Sequence, residues 1–292
     1  MSATRCSGLA TVVVSGTGSE VAIGAENEFA IIGERVNPTN RAALTRSIRD
    51  GSFDVALALA KTQIEAGASV IDVNVGAVGV DEPHVLPDLV SFLQEHIEIP
   101  LSLDSASVEA LESAVAVYKG RPVVNSTTGA AERLSRLLAL TKSCDGALIA
   151  LLMDEKGVPD DVDGRLRIAE RILNEASKAG LSHSNVLIDS IVMSVGASPA
   201  AGRTTLLTLR RVVQEFGAAT VLGVSNVSHG MPGRSILNRA MLSIAVFEGL
   251  SSAIVDPMDA GMKDAIAACR LLSGRDETGM GYVQHCRRTG GQ

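Results

Sequence analysis

The chain has 292 residues, 46% of them hydrophobic and 20% charged, with a formal net charge of −7. This is the balance of a globular chain of one or two domains, and it excludes a disordered one. Aromatic residues make up 2% and Trp is absent, so the core must be aliphatic and the stacking platforms of single-strand nucleic-acid binders are missing. An acidic chain without a block of like charge is also a poor match for nucleic acid or an anionic membrane.

Met1 to Thr11 contains one Arg and no apolar centre, which gives no signal peptide. Thr11-Val-Val-Val14 and Glu20-Val-Ala-Ile23 then flank Ser15-Gly-Thr-Gly18 and predict a β-hairpin. Gly16-Thr-Gly18 lacks the Lys-Ser/Thr of a P-loop and the third glycine of a dinucleotide fingerprint, so it is a turn.

From there one alternation runs to the end. Short apolar strands are predicted at residues 30–33, 69–72, 101–104, 122–125, 147–150, 186–189, 221–224 and 253–256. Unbroken apolar runs of this kind suit strands buried on both faces of a parallel sheet. Helical spacing appears between them, over Phe53–Ala66, Gly164–Ala179, Arg203–Phe216 and Arg239–Glu248, each closed by a glycine. Eight strand–helix units in about 230–260 residues is the count of a (β/α)₈ TIM barrel in the α/β class. The rival, an open doubly wound sheet, would carry a glycine-rich first turn that is not found. We therefore expect an N-terminal hairpin extension over 1–28, closing the bottom of the barrel or flanking it, a barrel over 29–275 and a C-terminal tail over 276–292. No apolar run reaches the roughly 20 residues of a membrane helix. Cys6, Cys144, Cys269 and Cys286 form no CxxC pair, so neither a zinc site nor a disulfide framework is expected, and a cytoplasmic setting is.

In such a barrel the site forms at the C-terminal strand ends. Those ends read Gly33-Glu34-Arg35-Val36-Asn37, Asp72-Val73-Asn74, Asp104-Ser105, Asn125-Ser126-Thr127, Asp189-Ser190, Ser225-Asn226-Val227-Ser228-His229 and Asp256-Pro257. Asp and Asn are also good turn formers and helix caps, which accounts for any one of them better than for seven. A ring of acids and amides suits a divalent cation or a flat heterocycle rich in N–H donors. A 2-amino-4-oxopteridine presents two adjacent N–H donors that one carboxylate can accept together. Asn can match neighbouring carbonyl and ring nitrogen atoms. The mixture of Asp with Asn favours the heterocycle, and no metal site is assigned.

Ile32-Gly-Glu-Arg-Val-Asn-Pro-Thr39, Asp72-Val-Asn-Val-Gly76, Leu103-Asp-Ser105, Asn125-Ser126-Thr127 and Gly223-Val-Ser-Asn-Val-Ser228 resemble the pterin-binding methyltransferase family. The resemblance runs from about Glu28 to Arg275, with the motifs in order. Members are similar to dihydropteroate synthases and to the folate domain of methionine synthase. They move a methyl group between N5 of tetrahydrofolate and the cobalt of a corrinoid on another protein.

The resemblance implies pterin contacts at Asp104, Asn125, Asp189, Asn226, His229 and Arg234, with Asn226 as the catalytic hydrogen-bond donor to N5. Glu34, Asn37, Asp72, Asn74, Ser225 and Asp256 become supporting residues, and Arg35 is expected to pair with a neighbouring acid. The implied substrate is tetrahydrofolate or 5-methyltetrahydrofolate, the implied partner a corrinoid (cobalamin) protein, and the implied assembly a homodimer. Dihydropteroate synthase would need Lys or Arg where Asn226 stands and an Arg-x-His element on the last strand, where Ile254-Val-Asp-Pro257 stands. Alternatives kept open are a dihydropteroate synthase-like enzyme, a metal-dependent barrel lyase and a non-catalytic folate-binding subunit. Of the histidines, His84 and His96 lack ligand spacing, His183 and His285 read as surface residues, and His229 alone sits near the substrate.

Overall fold

The computed structural model describes residues 8–290; Cys6 and most of the opening segment lie outside them. Strands β1 (Val12–Ser15) and β2 (Glu20–Ile23) form an antiparallel hairpin, with Gly16–Ser19 as its turn. Eight parallel strands follow: β3 (Ala30–Val36), β4 (Val70–Asn74), β5 (Leu101–Asp104), β6 (Val123–Thr127), β7 (Ala147–Leu151), β8 (Val186–Asp189), β9 (Ala219–Gly223) and β10 (Ser252–Val255). They close into a barrel, β10 pairing with both β9 and β3.

The crossovers are helical: α1 (Ala42–Arg49), α2 (Asp54–Glu65), α3 (Glu82–His96), α4 (Val108–Val117), α5 (Ala131–Ser143), α6 (Val162–Lys178), α7 (Ala201–Arg211), α8 (Arg234–Glu248) and α9 (Ala260–Leu272). The helix expected over Arg203–Phe216 ends at Arg211, and Val212–Phe216 continue as a π turn. Gly217 stops it at φ +61°, a left-handed conformation that a side chain would strain. In the segment read as a tail, α10 (Met280–Thr289) packs on α9 and its His285 pairs with Asp264 at 2.7 Å. Among the described residues no helix is long and apolar enough to cross a membrane.

Strand alternation explains how the site is positioned. Successive side chains point to opposite faces, so every second residue lines the barrel interior. On β3 that series is Ala30, Ile32, Glu34; on β4 Val70, Asp72, Asn74; on β6 Val123, Asn125; on β8 Leu187, Asp189. Each begins apolar at the N-terminal end and turns acidic or amidic at the C-terminal end. The apolar members pack with Val12, Val14 and Ile23 of the hairpin in one fully buried cluster. The hairpin therefore plugs the bottom of the barrel, and the polar layer is left facing the top. Close backbone contact secures the plug: Ser15 and Arg121 exchange hydrogen bonds of 3.0 and 3.1 Å, and Ala10 N donates to Gly217 O at 2.7 Å. A Cβ on Gly16 would come within 2.3 Å of the Glu98 carbonyl oxygen, so only glycine fits the turn there.

Candidate active site

The register sets Asn74 beside Asp104 and Asp104 beside Asn125 across β4, β5 and β6. Their side chains interlock with Asp72 below them. Asn74 Nδ2 donates to Asp104 Oδ2 at 2.9 Å, and Asn125 Nδ2 donates to Asp72 Oδ1 at 3.0 Å. Burial pushes the Asp104 carboxyl up to about 6, against the Asn74 hydrogen bond and helped by the nearby Glu82 charge. Asp72, 3% exposed, is raised well above the ordinary range, first by burial and then by the charge of Asp104. Two carboxylates this close and this dry disfavour double ionisation. Around them Ser105 Oγ donates to Glu82 Oε2 at 2.5 Å, and Arg133 donates to the Ala106 and Ser126 carbonyls at 2.6 and 2.7 Å. The β5 and β6 loops are thus pinned by α3 and α5.

Asp189 ends β8 and is 8% exposed. Its Oδ1 accepts the Ile191 N–H at 2.7 Å. Burial raises the carboxyl to about 7, opposed by that hydrogen bond and by the charge of Arg165 on α6. Desolvated carboxylates with unspent acceptor capacity gain most from a ligand that brings N–H donors.

Across the mouth, β3, β9 and β10 supply a second network. Arg35 Nη1 pairs with Asp256 Oδ2 at 2.6 Å, as expected of an arginine in a barrel mouth. Burial and the charge of Asp256 raise the Glu34 carboxyl, while Ser225 lowers it by donating Oγ–H at 3.4 Å. Beneath them, Gln63 Oε1 accepts the Arg35 N–H at 2.9 Å, and a Cβ on Gly33 would lie 2.5 Å from that oxygen. After β9 the chain makes a tight 3-10 turn, Val224–Ser228, which exposes the side chain of Asn226. Arg234, at the first turn of α8, staples this turn by donating to Ser228 Oγ at 3.0 Å and Ser225 O at 2.9 Å. His229 follows, exposed, with its carbonyl accepting the Ser194 hydroxyl at 2.6 Å.

Asn37 and Asn74 each order a loop: Asn37 Oδ1 accepts Thr39 N–H at 2.9 Å and Asn74 Oδ1 accepts Gly76 N–H at 2.7 Å. Asn74 in addition grips Asp104. His183 and His285 are half-buried rather than surface residues, because His183 packs under the Phe216 carbonyl and His285 under α9. Among the described residues, no group of three or more His, Cys, Asp and Glu is placed to hold a metal ion. Sequence reasoning missed Gln63, Glu82, Arg133 and Arg165, all helix residues outside the strand ends. Arg165 did leave a signal, since it falls on the buried stripe with Ile168, Ala169 and Ile172.

A family model described as pterin binding enzyme matches residues 33–256, and the chain belongs to that family. It is 29% identical over 266 residues to the methylcorrinoid:tetrahydrofolate methyltransferase of Eubacterium limosum, covering 88% of this chain and 96% of the relative. It is 28% identical to the methionine synthase of Mycobacterium tuberculosis over 77% of this chain, which spans only 20% of that larger protein. Among solved structures it is similar to the dihydropteroate synthase of Coxiella burnetii in complex with pteroic acid (TM-score 0.68, 15% identity, 90% of this chain and 99% of that one). The Xanthomonas albilineans dihydropteroate synthase with 4-aminobenzoic acid gives a TM-score of 0.68 at 20% identity, over 89% and 98% of the two chains. At that identity the structural likeness establishes the fold.

Proposed function

We propose that this enzyme transfers a methyl group between N5 of tetrahydrofolate and the cobalt of a corrinoid carried by a partner protein, in either direction. The observation that carries this reading is the pairing of two unlike features at one barrel mouth. Asp104, Asn125 and Asp189 form a desolvated acceptor set, and Asn226 presents a bare amide on the turn after β9. The length match to the Eubacterium limosum methyltransferase supports it.

In this reading Asp104 and Asp189 accept the pterin's N–H donors, Asn125 matches its carbonyl and ring nitrogens, and His229 and Arg234 border the ring. Asp72, Asn74, Glu34, Asn37, Ser225 and Asp256 support that set. The methyl–N5 bond breaks poorly because an unassisted leaving group would be an amide anion. Asn226 is too weak an acid to protonate N5. It donates a hydrogen bond that strengthens as charge develops there, with the proton reaching N5 through water. The corrinoid cobalt supplies the methyl acceptor or donor.

Asn226 also separates this reading from a dihydropteroate synthase, which would place Lys or Arg at that position. The functional unit is the barrel over 29–275, with the hairpin and the C-terminal segment as extensions, acting in the cytoplasm. A homodimer is supported by α8, whose outer face exposes Ile236 (73%), Ile244 (47%) and Phe247 (60%) in one stripe. The test is methyl transfer between free methylcobalamin and tetrahydrofolate, followed by the cobalamin spectrum. The reading expects folate-dependent loss of methylcobalamin; none at saturating folate, with dihydropteroate formed from a pterin pyrophosphate and 4-aminobenzoate, would replace it with the synthase.

A further inference from the structure

Arg165 is 2% exposed, projects from the inner face of α6, and among the described residues makes no ion pair within 4 Å. Its guanidinium is spent mainly on main-chain carbonyls instead, with the Thr205 hydroxyl a longer contact at 3.5 Å. Nη1 donates to Ser190 O at 2.6 Å and Ile191 O at 3.0 Å, and Nε donates to Pro159 O at 2.9 Å. A buried arginine used in this way serves geometry, because its planar fork fixes the acceptors relative to one another.

The segment it grips is strained. Ile191 stands at φ +57°, a left-handed conformation that a β-branched residue rarely adopts. Such a residue persists where its surroundings over-determine it, and it marks a place where geometry is being held for a purpose. Here the Ile191 carbonyl accepts both Arg165 and the Thr205 hydroxyl, the latter at 2.8 Å. The Ile191 N–H lies in the same peptide plane as the Ser190 carbonyl that Arg165 grips, and it donates to Asp189 Oδ1 at 2.7 Å. A continuous line therefore runs from α6 through Arg165 and the strained peptide to the Asp189 carboxylate.

We propose that Arg165 is a positioning residue, clamping the Ser190–Ile191 peptide against the strain at Ile191 so that the Ile191 N–H orients Asp189 to accept the pterin. The proposal rests on the folate reading above. Arg165 touches neither substrate nor the reacting atoms and acts only through Ser190 and Ile191. Its positive charge has a second effect, opposing the rise of the Asp189 carboxyl. The other charged groups that face Arg165 are Asp160 and Asp161.

Geometry and charge are separable by substitution. Arg165→Lys keeps the charge and loses the fork, and Arg165→Met loses both. Ile191→Gly removes the φ penalty and leaves Arg165 in place. The experiment measures tetrahydrofolate affinity by titration calorimetry across pH, with circular dichroism reporting the fold and a ¹³C titration of the Asp189 carboxyl in the free protein. We expect Arg165→Lys to weaken binding at least tenfold at pH 8 and Ile191→Gly alone to weaken it less than threefold. The double variant should recover most of the loss, since glycine at 191 removes the strain that would otherwise turn the unclamped peptide away from Asp189. In Arg165→Met the Asp189 titration moves to higher pH, and in Arg165→Lys it stays within half a unit. If Arg165→Met does not fold, Arg165→Lys and its glycine rescue decide the matter. Arg165→Lys binding within threefold of wild type, or an unrescued loss in the double variant, overturns the proposal. A wild type that binds no tetrahydrofolate overturns instead the reading beneath it, while the Asp189 titration still tests the link from Arg165.

Discussion

The two ends of this barrel are built on opposite terms. At the bottom, Val12, Val14 and Ile23 of the hairpin seal an apolar interior of Ala30, Ile32, Val70 and Val123, and every side chain there is buried with an apolar neighbour. At the top, the same strands continue into Asp72 and Asp189, both buried, and Asp104, half-buried, all with carboxyls pushed upward by desolvation. One end contributes stability, and the other gathers desolvated carboxyls whose acceptor capacity N–H donors would satisfy. Two residues along a strand separate the regimes, as with Leu187 and Asp189 on β8.

The largest effect should come from opening the sealed end. Ile23→Ala removes a fully buried side chain and should destabilise the fold by about 2–5 kcal/mol. Folate affinity measured below the melting range should stay within threefold; a parallel loss of affinity would mean the two ends are not independent. At the other end, Asp104→Ala and Asp189→Ala should each weaken reduced-folate binding by about 2–4 kcal/mol, because ligand donors are left unpaired. Calorimetry showing wild-type affinity in both variants would remove the pterin site.

The same contrast predicts a substitution that helps stability. The folded Asp189 carboxyl sits at about 7, above its unfolded value, so its contribution to stability is present in acid and lost as pH rises through 7. Asp189→Asn removes that unfavourable charge and should raise the melting temperature of the ligand-free protein by a few degrees at pH 8, with a smaller rise at pH 5 and little change at pH 4, near the unfolded value of 3.8. A lower melting temperature at pH 8 would show the carboxylate to be stabilised by its surroundings after all. The smallest effect is on binding. Donor ligands prefer the ionised acids, so folate affinity should be greatest above pH 7 and fall severalfold as pH drops through 7 and then 6, the positions of Asp189 and Asp104. Affinity rising toward pH 6 would reverse the assignment of these acids as acceptors.

Much of this was legible in the sequence, because the signals were local. The apolar strand runs follow from period-two alternation, and with the acid or amide that ends seven of the eight they located the barrel and its mouth; Arg35 was expected to pair with a neighbouring acid, and Asp256 is that acid. The four helices with regular spacing were readable; α3, with Pro83 at its start and Pro87 inside it, and α4, with its short stretch of Ala and Val, were not marked out. The plug was legible as a hairpin that closes the bottom or flanks the barrel; that it closes the bottom depends on pairing Ser15 with Arg121, far along the chain. Gln63, Glu82, Arg133 and Arg165 stayed hidden because each reaches the site from a helix, at a spacing no strand period encodes. Asn37 and Asn74 were visible, yet which atoms they bind depends on loop geometry.

The central claim is that the polar end does chemistry at Asn226 as well as binding at the acids. The direct measurement is the methyl-transfer rate and the tetrahydrofolate dissociation constant of Asn226→Ala, taken side by side. A hydrogen bond that tightens in the transition state should cost roughly 2.7–4 kcal/mol, about 10²–10³ in rate, with a smaller loss of affinity. A rate within threefold of wild type, or a rate loss fully matched by lost affinity, would contradict the claim.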